Sequence, residues 1–125
     1  ARAHVAAMAQ AIDCEIHPLN NLRVLTYLKQ DLRQADAAVQ TWYAHWVEQG
    51  FRALGNWALK YSGAQRFLSG DAVALADACL VPQVYNARRF NLSLEAYPTL
   101  VAIDGHLRTL EAFIHASPEH QPDRT

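Results

Sequence analysis

The sequence lacks the motifs that mark most catalytic and metal-binding centres. It has no HExxH motif, no CxxC pair, no glycine-rich phosphate loop and no GxSxG motif, and its six histidines are scattered without the spacing of metal ligands. We therefore predict no metal site and find no activated nucleophile in the chain. The net charge is −1, with acids and bases interspersed, which argues against nucleic acid or a membrane surface as a partner chosen by bulk charge. No apolar run approaches the length of a membrane span.

Cysteine is also scarce. Cys14 and Cys79 are the two cysteines among 125 residues, and they do not form a closely spaced pair. Both lie inside helical patterns, which favours reduced, buried thiols in a cytosolic protein over a disulfide. The chain shows no signal peptide and starts at Ala1 in the middle of a helical pattern, without a capping residue. We expect that a further segment precedes it.

What the sequence does contain is one helical pattern after another, with no strand-like alternation. Apolar residues make up 51% of the chain, enough for the core of a single domain. The first predicted helix carries Val5, Met8, Ile12 and Ile16 on one stripe and ends before Pro18. A second helix follows Asn20 and Asn21 and carries Leu22, Leu25 and Leu28.

Three longer helices complete the predicted domain. One runs from about 36 to 61, another from about 74 to 90, and the last begins at Pro98, a residue suited to a first helical turn. The stripe of the third helix is Val39, Trp42, Trp46, Leu54 and Trp57, with Tyr43, Val47 and Phe51 beside it. The stripe of the last helix is Leu100, Ile103, Leu107, Leu110 and Ile114. Gly50 and Gly55 permit a bend or a close contact in the third helix, and Gly63 and Gly70 mark the turn after it. Residues 1–117 are predicted to form the domain, and residues 118–125 a poorly packed tail.

Two polar segments are candidates for a binding site. The segment from His17 to Arg23 places an imidazole, two amides and a guanidinium around Pro18; it is either an anion-binding pocket or helix punctuation with the asparagines as caps. Arg88 and Arg89 near the end of the fourth helix complement the helix dipole without any ligand, although arginine also suits a carboxylate held by two hydrogen bonds. Neighbouring helix residues point about 100° apart, so one of the two at most faces a given pocket.

Two further features have structural and functional interpretations. Pro82 lies inside the fourth helix and is predicted to bend it. The bend either changes the direction of Arg89 or improves the packing of the helix. The aromatic run Trp42, Tyr43 and Trp46 is interpreted as core packing rather than a cofactor site.

Two long blocks of the sequence resemble the zeta class of glutathione transferases, which includes maleylacetoacetate and maleylpyruvate isomerases. The first block runs from Cys14 to Leu25 and reads CEIHPLNNLRVL. The second runs from Leu75 to Phe90 and reads LADACLVPQVYNARRF. Shorter matches are GD at 70–71, YPTL at 97–100 and QPD at 121–123, so the resemblance covers nearly the whole chain.

The resemblance implies the C-terminal helical bundle of a glutathione transferase, with about five to six helices. It also implies a thioredoxin-like N-terminal domain, absent from this chain, that binds glutathione and activates its thiol. The whole protein is then expected to be a cytoplasmic homodimer, and the present chain alone is expected to be inactive.

The reaction implied by the resemblance is glutathione-dependent cis–trans isomerisation of maleylacetoacetate or maleylpyruvate to the fumaryl isomer. On this basis Arg23, Arg89 and His17 are predicted to bind the maleyl keto acid, and His17 and Asn20 to contact glutathione. Arg88 is the less favoured arginine of its pair. No catalytic residue is expected in this chain.

The sequence departs from the family at Ala74, where the family usually has Ser or Thr to cap the fourth helix. Asp77 is retained and is predicted to accept a hydrogen bond from the Ala74 N–H. Asp77 is therefore assigned a structural role, and Pro82 is assigned one as the proline inside the same helix. Two other functions stay open: a zeta-class transferase acting on small α-halo acids, and a free-standing helical module for protein–protein contacts.

Overall fold

The structure, a computed structural model, describes residues 2–62 and 66–123. Within those ranges the chain forms six α-helices and no β-strand, which confirms the predicted all-α class. The helices are α1 (Arg2–Glu15), α2 (Leu22–Gln30), α3 (Asp36–Tyr61), α4 (Leu75–Arg89), α5 (Pro98–Leu107) and α6 (Glu111–Ala116), and a short 3-10 helix (Pro118–His120) follows them. None of the helices described is long and apolar enough to cross a bilayer. Gly63 lies outside the described residues.

The hydrophobic core lies where α1, α3, α4 and α5 meet. Each of these helices turns an apolar stripe toward the others, which removes that stripe from water. The most deeply buried large side chains are Met8, Ile12, Ile16, Phe51, Leu54, Leu80, Val84, Leu100, Ile103 and Leu107. Because burying one such side chain contributes roughly 1.5–3 kcal/mol, this packing stabilises the helices far more than their intrinsic propensities do.

Helix α1 ends just before Pro18, as the sequence predicted. The N–H groups of Ile16 and His17 both donate to the carbonyl of Ile12, at 3.3 and 2.9 Å, and close the last turn. The fully buried Ile16 then packs against α3 at Gly50, where a Cβ atom would overlap the Ile16 side chain. Gly50 therefore provides a close helix contact, one of the two roles predicted for it.

The face of α3 that enters the core differs in part from the predicted stripe. Val39 and Leu54 of that stripe are buried, but Trp42 and Trp46 are only half-buried and Trp57 is 36% exposed. The other buried residues of α3 are Tyr43, Val47 and Phe51, which were predicted to lie beside the stripe, and Ala58. The apolar residues have helical spacing along both lines, so periodicity alone does not show which line is buried. The packing of α3 against α1 and α5 determines it.

The predicted last helix is in fact two helices separated by a turn at residues 108–110. The Thr109 hydroxyl donates to the carbonyl of His106 at 2.7 Å, and the Leu110 N–H donates to the carbonyl of Leu107 at 3.0 Å. These bonds replace those of a continuing α-helix. Ile114, predicted on the buried face, is 39% exposed. The apolar spacing happens to continue across the turn, which is why periodicity joined the two helices.

Both cysteines are free thiols, but the prediction that both are buried is wrong. Cys79 is half-buried, whereas Cys14 is exposed. Cys14 stands two positions from both Ile12 and Ile16, and two helical positions correspond to about 200°. Because the two isoleucines face the core, Cys14 on the opposite side of the helix faces solvent.

Candidate functional site

The turn between α1 and α2 is tied to α3 by side-chain hydrogen bonds. Asn20 is buried and donates from Nδ2 to the carbonyl of Tyr43 at 3.0 Å. Trp42 donates from Nε1 to the carbonyl of Leu19 at 2.8 Å. Asn21 caps α2, because its Oδ1 accepts the Val24 N–H at 3.4 Å. The two asparagines thus serve the turn itself, which supports the punctuation interpretation of this segment.

This arrangement restricts how Asn20 could contact glutathione. Its amide nitrogen is used by Tyr43, and its Oδ1 is buried without a hydrogen-bond donor among the described residues. A contact with glutathione would therefore use Oδ1. The role of Asn20 stays a prediction.

His17 and Arg23 occupy exposed positions on either side of this turn. Arg23 lies in the first turn of α2 and lines an open surface cavity of about 680 Å³ together with Asn21, Thr26 and Asp31. Leu22, which the apolar pattern placed with the core residues of α2, is 79% exposed at the same cavity. The cavity therefore combines a guanidinium with exposed apolar surface.

The two adjacent arginines of α4 have different surroundings. Arg88 forms an ion pair with Asp104 of α5, with 2.8 Å between its Nη1 and the Asp104 Oδ2. Arg108 contacts the same oxygen from its Nε at 3.1 Å, and the Asp104 side chain is fully buried. Arg88 thus neutralises a buried carboxylate at the α4–α5 contact. Its Nη1 is held there by the ion pair.

Arg89 points to a different side of α4. Its guanidinium carbon lies 6.0 Å from the centre of the Tyr85 ring, and no ion pair to Arg89 occurs within residues 2–62 and 66–123. Arg89 and Tyr85 line a cavity of about 820 Å³. The remaining lining residues are Ala116, Pro118, Glu119, Gln121 and Asp123. The sequence pattern did not predict that these residues line a cavity beside Arg89, because an irregular polar segment has no apolar periodicity.

The end of α4 is anchored on α3 immediately after Arg89. The Phe90 ring stacks on the Tyr43 ring with 3.7 Å between the ring centres, and the Phe90 carbonyl accepts a hydrogen bond from Gln40 Nε2 at 2.6 Å. Burial raises the pKa of the Tyr43 hydroxyl, and the positive charge of Arg89 partly opposes that rise. These contacts fix the direction in which the last turn of α4 presents Arg89.

Arg23 and Arg89 line separate cavities. The structure therefore does not bring these two predicted substrate ligands together within one cavity of the described chain.

Asp77 and Pro82 lie further toward the start of α4. The fully buried Asp77 carboxylate accepts the Ala74 N–H on Oδ2 at 2.8 Å, as predicted, and also the Leu68 N–H on Oδ1 at 2.8 Å. Burial raises the pKa of Asp77, while these two N–H donors lower it in part. Helix α4 continues past the exposed Pro82 without interruption.

Cys79 is the cysteine of α4, and its surroundings determine how reactive its thiol is. Its thiol donates to Asp13 Oδ2 on α1 at 3.4 Å. Burial, and then the hydrogen bond and negative charge of Asp13, raise the pKa of Cys79 to about 11. The thiol is therefore almost wholly protonated at neutral pH and is a poor nucleophile. The described residues also contain no cluster of three or more His, Cys, Asp or Glu arranged to hold a metal.

Comparisons with known proteins identify the family. A scan against protein-family models gives no match. The probable maleylacetoacetate isomerase of Vibrio cholerae is 47% identical over 122 residues, which are 98% of this chain and 56% of that protein. A holo maleylpyruvate isomerase, described as a bacterial glutathione S-transferase of the zeta class, has a TM-score of 0.94 at 40% identity, covering 99% of this chain and 58% of that one. The maleylacetoacetate isomerase of Anaeromyxobacter dehalogenans, solved with glutathione in its active site, has a TM-score of 0.91 at 39% identity. The match covers 99% of this chain and 55% of that one.

The chain spans about half the length of the curated relatives it matches. The likeness extends over nearly every residue of this chain, in sequence and in fold. It therefore includes both blocks on which the resemblance rested. The chain belongs to the zeta-class glutathione transferases and has the fold of their helical domain.

Proposed function

We propose that this chain is the helical substrate-binding domain of a glutathione-dependent isomerase that converts maleylacetoacetate or maleylpyruvate to the fumaryl isomer. The names of the relatives support the reaction. The observation that carries the assignment of the site is the contrast between two neighbouring arginines. Arg88 neutralises buried Asp104, whereas Arg89 faces a cavity without an ion-pair partner among the described residues.

Arginine suits both tasks that this reaction sets for the protein. Its planar guanidinium binds a carboxylate through two hydrogen bonds, and its charge stabilises negative charge that develops in the transition state. Glutathione, when bound, supplies the thiolate whose reversible addition allows the cis double bond to rotate. Arg89 then orients the keto acid by one carboxylate, and Arg23 receives its other polar end. Holding the acid at two points restricts its rotation and translation before the reaction.

The rest of the site is proposed to come from a thioredoxin-like domain. Arg23 and Arg89 line separate cavities here, so a surface that covers both would complete a single site. His17 and Asn20 are proposed to meet glutathione at that surface. Large apolar side chains are exposed at Leu22, Tyr27, Leu32, Leu59, Val73 and Leu75, and the further domain is proposed to pack over part of this surface. The homodimer and the cytoplasmic location stay predictions.

The α-halo acid alternative uses the same arginines. The relatives compared above are described as maleylacetoacetate or maleylpyruvate isomerases, which favours isomerisation. Comparing kcat/KM for a maleyl keto acid and for an α-halo acid in the full-length protein would separate the two activities.

Replacing the two α4 arginines in the full-length protein tests the site. Arg89→Ala removes a charge-assisted interaction worth roughly 1.5–3 kcal/mol, so kcat/KM for the keto acid should fall about tenfold to a hundredfold. Arg23→Ala should also weaken use of the keto acid, and neither change should alter KM for glutathione much.

Lysine substitutions provide a matched control at adjacent positions. Arg89→Lys keeps the charge but loses the two-pronged geometry, so it should still impair turnover. Arg88→Lys can keep its ion pair with Asp104 and should leave kcat/KM within about twofold. A larger loss from Arg88→Lys than from Arg89→Lys would show that the wrong arginine has been assigned.

A further inference from the structure

Helix α4 presents two side chains to the same cavity, one helical turn apart. Tyr85 and Arg89 are four positions apart, which places them on one face of the helix, and both line the cavity of about 820 Å³. Val84 and Ala87, which lie between them in the sequence or next to them, are buried in the core. The face of α4 that carries Tyr85 and Arg89 is therefore separate from the face that holds the domain together.

The residues that border the cavity beyond α6 are held by hydrogen bonds. Gln121 lines the cavity and donates from Nε2 to the carbonyl of His115 at 2.8 Å and to that of Ser117 at 3.3 Å. The carbonyls at a helix C-terminus lack partners within the helix, so Gln121 fastens this segment to the end of α6. The cavity is therefore bordered by α4 and by a segment that is bonded to a second helix.

The hydroxyl of Tyr85 is not used by the fold. Within residues 2–62 and 66–123 it forms no hydrogen bond, and the side chain is only half-buried. Tyr97 shows the contrast, since its hydroxyl donates to the carbonyl of Glu48 at 3.4 Å and its ring packs edge-on against Phe51. A tyrosine hydroxyl both donates and accepts hydrogen bonds. Tyr85 therefore offers the cavity a neutral donor beside the charged one of Arg89.

The contact between the two side chains does not account for a tyrosine at this position. The guanidinium carbon of Arg89 lies 6.0 Å from the centre of the Tyr85 ring, which is about the outer limit for a cation–π interaction. A phenylalanine ring would keep this contact. The hydroxyl is what tyrosine adds, and the substitution Tyr85→Phe isolates it.

The two donors suit two different groups of one ligand. A guanidinium binds a carboxylate through two parallel hydrogen bonds, and a carbonyl oxygen elsewhere on the ligand needs a donor of its own. We propose that Tyr85 is a specificity-determining residue that donates a hydrogen bond to the keto oxygen of an acid whose carboxylate is bound by Arg89. The pair then favours a keto acid over a carboxylic acid of the same length without a keto group. The inference rests on the proposed function, in which Arg89 is a substrate ligand.

The test measures the binding of pentanoate, 2-oxopentanoate and 4-oxopentanoate to the full-length protein without glutathione, by NMR titration. Each acid carries one negative charge, so the charges around the cavity act on all of them alike, and the oxo acids differ from pentanoate by a keto group. In Tyr85→Phe the affinity of at least one oxo acid relative to pentanoate should fall about twofold to tenfold, the effect of one neutral hydrogen bond. The affinity for pentanoate itself should stay within about twofold.

The matched control is Tyr61→Phe at the end of α3. The Tyr61 ring stacks on His4 with 4.0 Å between the ring centres, and Tyr61 does not line the Arg89 cavity. This variant also loses a tyrosine hydroxyl, yet it should keep the wild-type ratio between oxo acids and pentanoate. Arg89→Ala should weaken the binding of all the acids, because it removes the carboxylate ligand that they share.

Several outcomes would overturn the role of Tyr85. They are the same ratio in the wild type and in Tyr85→Phe for both oxo acids, an equal fall in Tyr61→Phe, and no detectable binding of any of the acids. A loss of affinity for all the acids in Tyr85→Phe with an unchanged ratio would show that the tyrosine only positions Arg89.

The measurements need no turnover, so they are independent of isomerase activity. A protein that lacks isomerase activity but shows the expected ratios would refute the proposed reaction and leave the role of Tyr85 standing. Unchanged binding of all the acids in Arg89→Ala would instead refute Arg89 as the carboxylate ligand, and the inference with it.

Discussion

Asp77 connects two parts of the chain, so its replacement has a calculable effect on stability. Its carboxylate accepts the Leu68 N–H and the Ala74 N–H, both at 2.8 Å, and is fully buried. In Asp77→Asn one oxygen remains as an acceptor, while the new NH₂ group faces the other N–H. A hydrogen bond to a charged group contributes about 1.5–3 kcal/mol, but removing the charge also recovers part of its desolvation cost. We expect a net loss of roughly 1–3 kcal/mol.

Thermal unfolding followed by circular dichroism measures this loss. For a chain of 125 residues, about 2 kcal/mol corresponds to a fall in Tm of roughly 6–10 °C. The control is Asp71→Asn, an exposed carboxylate in the same connection, which should change stability by less than about 0.5 kcal/mol.

Hydrogen exchange gives a second, local measurement of the same bonds. The amides of Leu68 and Ala74 should lose protection in Asp77→Asn beyond the loss expected from lower global stability. Unchanged protection of both amides, or a Tm equal to that of the control, would refute the reasoning.

Two further predictions concern the same helix. Ala74→Thr restores a side-chain acceptor at the N-terminus of α4, where none exists now; it should stabilise by about 0.5–1 kcal/mol and raise Tm by a few degrees, and a lower Tm would mean that the donors are already satisfied. Cys79 has a pKa of about 11 because of burial and Asp13, so its alkylation by iodoacetamide should accelerate with pH up to about that value. Asp13→Asn removes a negative charge, lowers the pKa and should speed alkylation at mildly alkaline pH; an unchanged rate profile would exclude Asp13 as a cause.

The sequence by itself determined the helices, apart from the break between α5 and α6, and most of their ends, because these depend on neighbours in the chain. Pro18 stops α1, Asn21 caps α2 and Pro98 occupies the first turn of α5. Helix α3 runs from Asp36 to Tyr61, the bounds that its pattern predicted. Each signal acts within about one helical turn, so it can be read without knowing the fold. The two blocks of family resemblance likewise identified the class that the comparisons confirm.

Only the tertiary structure decided which polar groups meet. Arg88 and Arg89 are equivalent in local sequence, and what separates them is Asp104, 16 residues beyond Arg88 on another helix. The Leu68 N–H that Asp77 accepts and the residues after α6 that line the Arg89 cavity are likewise brought into place by packing. Such contacts are set by the crossing of helices and by the cost of leaving buried charges and donors unpaired, and neither requirement leaves a period in the sequence.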